Sequence, residues 1–133
     1  MNLQALNDHV QCVPFFRFLG FSISEIDETQ AVAEIPFDDR LIGNPVIEYY
    51  HGGLIASFME AVAAIAVNPL FVGQPVKPIN LTVDYLRPAV KGPLSARAAL
   101  TRKGKRMASV RAHCWQDDES RHVAKGLYHF LLV

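Results

Sequence analysis

Residues 49–67, YYHGGLIASFMEAVAAIAV, limit the fold more than any other stretch. Ala, Leu, Met and Glu are strong helix formers and Asn68-Pro69 supplies a stop, so the segment predicts a helix of about 15 residues. That helix is apolar nearly all round. It has almost no face for water and must be covered on most sides by other elements.

The rest of the chain supplies the cover. INLTVDYL alternates Ile79, Leu81, Val83 and Tyr85 with Asn80, Thr82 and Asp84, the period of a strand. LSARAALTR and RMASVRAHCWQ flank a Gly-centred KGK turn, and DDESR leads into a last strand, HVAKGLYHFLLV. Upstream, Leu3, Leu6 and Val10 suit a short amphipathic helix, and the alternation from Phe21 to Phe37 around DETQ reads as a hairpin. CVPFFRFLGF is an aromatic connector too apolar to lie free on the surface, and DDRLIGNPVIEYY is a loop by its Gly and Asn-Pro content. VGQPVKP connects the long helix to the strands. The order is two strands, one long helix and four strands. It predicts an α+β fold in which an antiparallel sheet wraps one helix, as a single domain over residues 1–133.

Composition excludes some functions. Lys and Arg total 13 and Asp and Glu total 13, so the bulk basic charge that nucleic-acid binding relies on is missing. A net charge near zero mildly favours self-association. Cys12 and Cys114 are too few and too far apart for a Cys-x-x-Cys motif and read as two reduced, buried thiols. The start of the chain has no basic region followed by a long apolar one, and the longest apolar run is far short of a membrane span, so a cytoplasmic location is expected. His113, His122 and His129 have no acids at ligand spacing; neither metal nor organic cofactor is expected.

One residue is out of place in the long helix. On a helical wheel Leu54, Phe58, Ala61 and Ile65 form one stripe, whereas Gly53, Ser57, Glu60 and Ala64 form a small, polar one. Small residues let another subunit or a ligand approach Glu60. A buried carboxylate must be paired, hydrated or used, which leaves two explanations: a Glu bonded at a subunit seam, or a catalytic group. Gly52 and Gly53 sit at the helix start, where backbone N–H groups lack partners and could hold the oxygen of a polarised carbonyl.

HGG with an acid nine positions after the His, LTVDYLRPA, and LSARAALTRKGKRMASVRAHCWQ together resemble the hotdog-fold acyl-CoA thioesterases of the PaaI-like, 4-hydroxybenzoyl-CoA thioesterase group, over roughly residues 17–133. The resemblance implies a homodimer with active sites at the seam, possibly paired again into a tetramer, acting on a small, medium-chain or aromatic acyl-CoA. It places Gly52 as the N–H donor to the thioester carbonyl, His51 as the residue orienting that loop, and Glu60 as general base or nucleophile. Asn44 stands nearest to the family's loop amide, one residue displaced, and Pro78 falls where some members carry a Ser or Thr. Gly53 and Ser57 would touch substrate. Tyr85, Arg87, Lys103, Lys105 and Arg106 would line the coenzyme A groove, the cations meeting its phosphates. Two alternatives remain at this point: a hotdog-fold dehydratase or hydratase, and a non-catalytic acyl-CoA binding module.

Overall fold

The computed structural model describes residues 2–70 and 75–133. In chain order the elements are α1 (Leu3–Val10), α2 (Pro14–Leu19), β1 (Ser22–Ile26), β2 (Gln30–Ile35), β3 (Ile42–Asn44), β4 (Tyr49–Tyr50), α3 (Gly52–Val67), β5 (Val76–Tyr85), β6 (Leu94–Lys103), β7 (Met107–Trp115) and β8 (Ala124–Leu132). Six strands form one antiparallel sheet in the order β1-β2-β6-β7-β8-β5, and β3 and β4 form a separate hairpin. The predicted sheet around a single long helix is the architecture observed.

Packing explains it. Alternate residues of the central strands, among them Ala96, Ala98, Ala108, Val110, Ala112, Tyr128 and Phe130, are buried in one core with Ile55, Phe58, Met59, Val62 and Ile65 of α3. Alanines on the sheet leave room for the helix to lie close, and the larger helix side chains fill it. Fully burying a side chain such as Phe58 or Ile65 favours folding by about 1.5–3 kcal/mol each, before the entropy of fixing it is subtracted.

Several local expectations change. The aromatic connector is α2, opened by Pro14 and closed by Gly20 at φ 79°, a left-handed cap that glycine adopts without steric cost. Leu19 is buried and Phe16 packs on Phe21 with ring centroids 5.4 Å apart, but Phe15 and Phe18 are 52% and 51% exposed. The helix has one inward face, so two of its three aromatics stay outside. The loop at 38–50 contains a 3-10 turn (Asp39–Leu41) and the β3–β4 hairpin. Cys114 is buried as expected, whereas Cys12, just past the end of α1, is exposed. Within the connector between α3 and β5, residues 71–74 lie outside the described residues.

β5 is an edge strand: it pairs with β8 on one side, and its other side has no strand beside it among the described residues. Ile79, Leu81 and Tyr85 are 48%, 43% and 54% exposed, so the alternation that reads as a half-buried strand belongs to one with its apolar face open. Pro78 fits an edge, where a missing N–H breaks no ladder.

On the opposite face of the sheet, the turn before β8 folds back over β7. Arg97 Nε donates to the Glu119 carboxylate at 2.6 Å, His113 Nε2 lies 2.8 Å from the same carboxylate, and His122 stacks on His113 at 4.3 Å. The Arg97 hydrogen bond holds the Glu119 pKa down at about 2 despite partial burial. An acid with a depressed folded pKa stabilises the fold above its unfolded pKa and loses that contribution as pH falls through the folded one. Glu119→Gln is expected to lower stability by about 1 kcal/mol or less at neutral pH, since solvent screens the pair. The deficit should shrink between pH 4.5 and about 2, which urea denaturation across that window measures.

Candidate active site

The start of α3 is built by His51. Its backbone is extended, and its ring turns back so that Nδ1 accepts the Gly53 N–H at 2.8 Å. The Gly53 N–H is therefore satisfied, and the Gly52 N–H has no acceptor among the described residues. Of the two glycines, Gly52 offers the free donor at the positive end of the helix. Close approaches explain the neighbouring glycines. A Cβ on Gly53 would stand 2.9 Å from the His51 ring, and one on Gly43 would stand 2.7 Å from the His51 Cα.

Tyr85 ties this end to the sheet. Its hydroxyl donates to the Gly52 carbonyl at 2.8 Å, and a Cβ on Gly52 would touch its ring at 3.4 Å. The last residue of β5 thus holds the first residue of α3. Tyr50 is buried edge-on to Phe37 and donates to the Gly92 carbonyl at 2.6 Å, with its hydroxyl pKa raised by burial to about 12. Asn44 builds the hairpin beside it: its side-chain oxygen accepts the N–H groups of Val46 and Ile47 at 2.9 and 3.2 Å.

Glu60 is half buried on the stripe it shares with half-buried Ser57 and Ala64 and exposed Gly53. Burial pushes its carboxyl pKa up, and no described residue hydrogen-bonds or ion-pairs with it. β5 runs antiparallel to this stripe. Val76 shares a depression with Ala64, and Tyr85 reaches Gly52 at the far end. Glu60 lies between these two points, alongside the open apolar edge.

Geometry separates Glu60 from Gly52 in one chain. They are eight positions apart, a rise of about 12 Å, and the Gly52 N–H points away from the helix body. A carbonyl held by that N–H is too far away for the Glu60 of the same helix to reach directly or through one water.

The basic residues divide into two groups. Lys103 donates to the Val67 carbonyl at 3.0 Å, which puts the Lys103–Arg106 hairpin at the C-terminal end of α3, about 22 Å from Gly52 along the axis. Lys105 and Arg106 are exposed there. Arg87 follows Tyr85 and donates to the His122 carbonyl at 2.7 Å, so it stands at the Gly52 end. Ser57 opens into a groove with His51 and Gly53 whose other wall is α2. The sequence marked α2 as apolar but gave no sign that Phe15 and Phe18 flank the site. Among the described residues no group of His, Cys, Asp and Glu could hold a metal ion.

Comparison with known proteins identifies the family and the fold. The sequence profile of the thioesterase superfamily matches residues 48–121. A solved structure from that superfamily is 34% identical, covers 98% of each chain and superposes with a TM-score of 0.87. A phenylacetic-acid-degradation-related protein of Ralstonia eutropha is 28% identical over 90% of this chain and 91% of its own, with a TM-score of 0.80. The medium/long-chain acyl-CoA thioesterase YigI of Salmonella typhimurium is 27% identical over 123 residues, 80% of this chain and 78% of its own. The matched segment runs from the residues before His51 through α3, β5 and the β6–β7 hairpin, and on these grounds the chain belongs to the thioesterase superfamily, with the hotdog fold.

Proposed function

We propose that the protein is a cytoplasmic acyl-CoA thioesterase, a single-domain homodimer joined through β5, with each active site made from both protomers. The observation that carries this reading is the pairing of two groups that have no partner among the described residues, the Gly52 N–H at a helix start and the half-buried Glu60 carboxylate, beside the apolar edge strand β5. A β5–β5 contact would cover Ile79 and Leu81 and supply the missing ladder. The two-fold would bring the Glu60 of one chain toward the Gly52 of the other.

In that site the thioester carbonyl oxygen accepts the Gly52 N–H, which stabilises the negative charge that develops there. Glu60, with its raised pKa, takes a proton from water as the water oxygen attacks the carbonyl carbon. The tetrahedral intermediate then collapses, the C–S bond breaks, and the departing thiolate is protonated. Direct attack by the carboxylate would give an anhydride that water hydrolyses to the same products. His51 and Tyr85 orient the donor peptide, and Asn44 shapes the adjoining hairpin. Arg87, with Lys103, Lys105 and Arg106 of the second protomer, would meet the phosphates of coenzyme A. The acyl-CoA thioesterase YigI supports the choice of thioester.

Two variants test the roles through thiol release from an acyl-CoA panel. Glu60→Gln is expected to lower kcat by at least about a hundredfold. Gly52→Pro removes the N–H at the first helical position, where proline is accepted and the extended His51 is already compatible with it. A loss of about 10²–10³ in kcat with a normal circular dichroism spectrum is expected, and near-parental turnover would remove the Gly52 donor from the mechanism.

Glu60 also affects stability. A carboxylate whose folded pKa is raised costs stability above that pKa and nothing below its unfolded one. Glu60→Gln should therefore melt higher than the parent at neutral pH, with the gap closing below about pH 4.5 in a pH-resolved thermal melt.

A further inference from the structure

The sequence YYHGG absorbs the start of α3, but the aromatic run PFFRFL of α2 has no role in the chemistry above. Phe16 and Leu19 hold α2 to the body, and Phe15 and Phe18, three positions apart on one helix face, stand half exposed with rings 6.2 Å apart and 20° from parallel. They form one wall of a groove of about 260 Å³ whose opposite wall is Leu41, Ile42 and Leu54. The groove also includes Ser57, and it reaches His51 and Gly53, the two residues on either side of Gly52 in the chain.

Charge at the groove is already matched. Arg40 lies over the Phe18 ring at 5.1 Å, donates to the Phe18 carbonyl and pairs with Asp38 at 2.7 Å. Its guanidinium clamps α2 to the turn before β3 and is not left over for a ligand carboxylate or phosphate. An apolar groove with a neutralised rim, which reaches the two residues flanking the proposed Gly52 donor, suits an uncharged alkyl chain attached to a carbonyl held there.

We propose that this groove holds the acyl chain of the substrate and that Phe15 and Phe18 set a preference for linear acyl groups long enough to cover both rings. The assignment rests on the thioesterase reading and names its substrate class: medium-length, uncharged alkanoyl thioesters rather than acetyl, butyryl or dicarboxylic ones. A short acyl group reaches Ser57 and leaves the two rings wet. A longer one buries methylenes against them, and each buried methylene contributes enough to raise kcat/KM several-fold.

The test compares the parent with the Phe15→Ala/Phe18→Ala double variant on butyryl-, hexanoyl-, decanoyl- and adipoyl-CoA. Thiol release gives kcat/KM, and titration calorimetry on the Glu60→Gln background gives affinity. The parent is expected to favour decanoyl over butyryl and to discriminate against adipoyl relative to hexanoyl. The double variant should reduce the decanoyl-to-butyryl ratio by about tenfold or more in both measurements. Both side chains are half exposed, so their truncation spares the core. An unchanged ratio overturns the groove assignment even where hydrolysis is normal. So does a shift in sedimentation coefficient without a change in ratio, which would make the groove a subunit contact. If no acyl-CoA is hydrolysed, the thioesterase reading fails by itself, and the calorimetric ratio still decides whether the groove holds the chain.

Discussion

A helix without a polar side can exist in water only inside something, and α3 is such a helix. Its large residues need a surface that admits them closely, which the alanine-rich inner positions of β6 and β7 supply. Once the sheet has closed over α3, what remains at least partly uncovered is its first turn and a narrow strip: Gly52, Gly53, Ala56, Ser57, Glu60 and Ala64. Both features that the proposed chemistry uses follow from that packing. The helix start emerges beside the β3–β4 hairpin, and the strip runs along β5, an edge strand with no outer partner among the described residues.

Close approach then shapes the site more than charge does. Gly43 and Gly53 admit the His51 ring to the helix start, the ring takes the Gly53 N–H, and the neighbouring Gly52 donor is left free. Tyr85 fixes the same peptide from the strand side. Glu60 has no partner among the described residues and is half buried, an arrangement that costs stability in a lone chain and that the proposed dimer would use by bringing a carbonyl to it from a second chain.

The layer architecture was legible because it depends on periodicity. The uninterrupted apolar helix, the alternation in INLTVDYL and the Gly-centred turn of RKGKR each specify an element without reference to any other. His51, Gly52 and Glu60 stood out because glycines at a helix start and an acid inside an apolar run are both locally anomalous. What sequence did not reveal depends on contacts across the fold. The bond from Tyr85 to Gly52 spans β5 and α3, Lys103 caps the far end of the helix, and Glu119 joins His113 and Arg97 only because a turn folds back over the sheet. The amphipathic split of PFFRFL was hidden for a similar reason: a six-residue helix shows too little period to tell which aromatics face in.

The central claim is that Gly52 and Glu60 act on one thioester from different protomers. Mixing the Gly52→Pro and Glu60→Gln proteins, each inactive alone, and allowing subunits to exchange tests it most directly. If the site is shared, each mixed dimer contains one intact pair, the Gly52 of the Glu60→Gln chain facing the Glu60 of the Gly52→Pro chain, and thiol release should return toward about a quarter of the parental rate at equal proportions. If both groups act within one chain, no mixed dimer has an intact site. A mixture that exchanges subunits yet stays as inactive as its components would contradict the account.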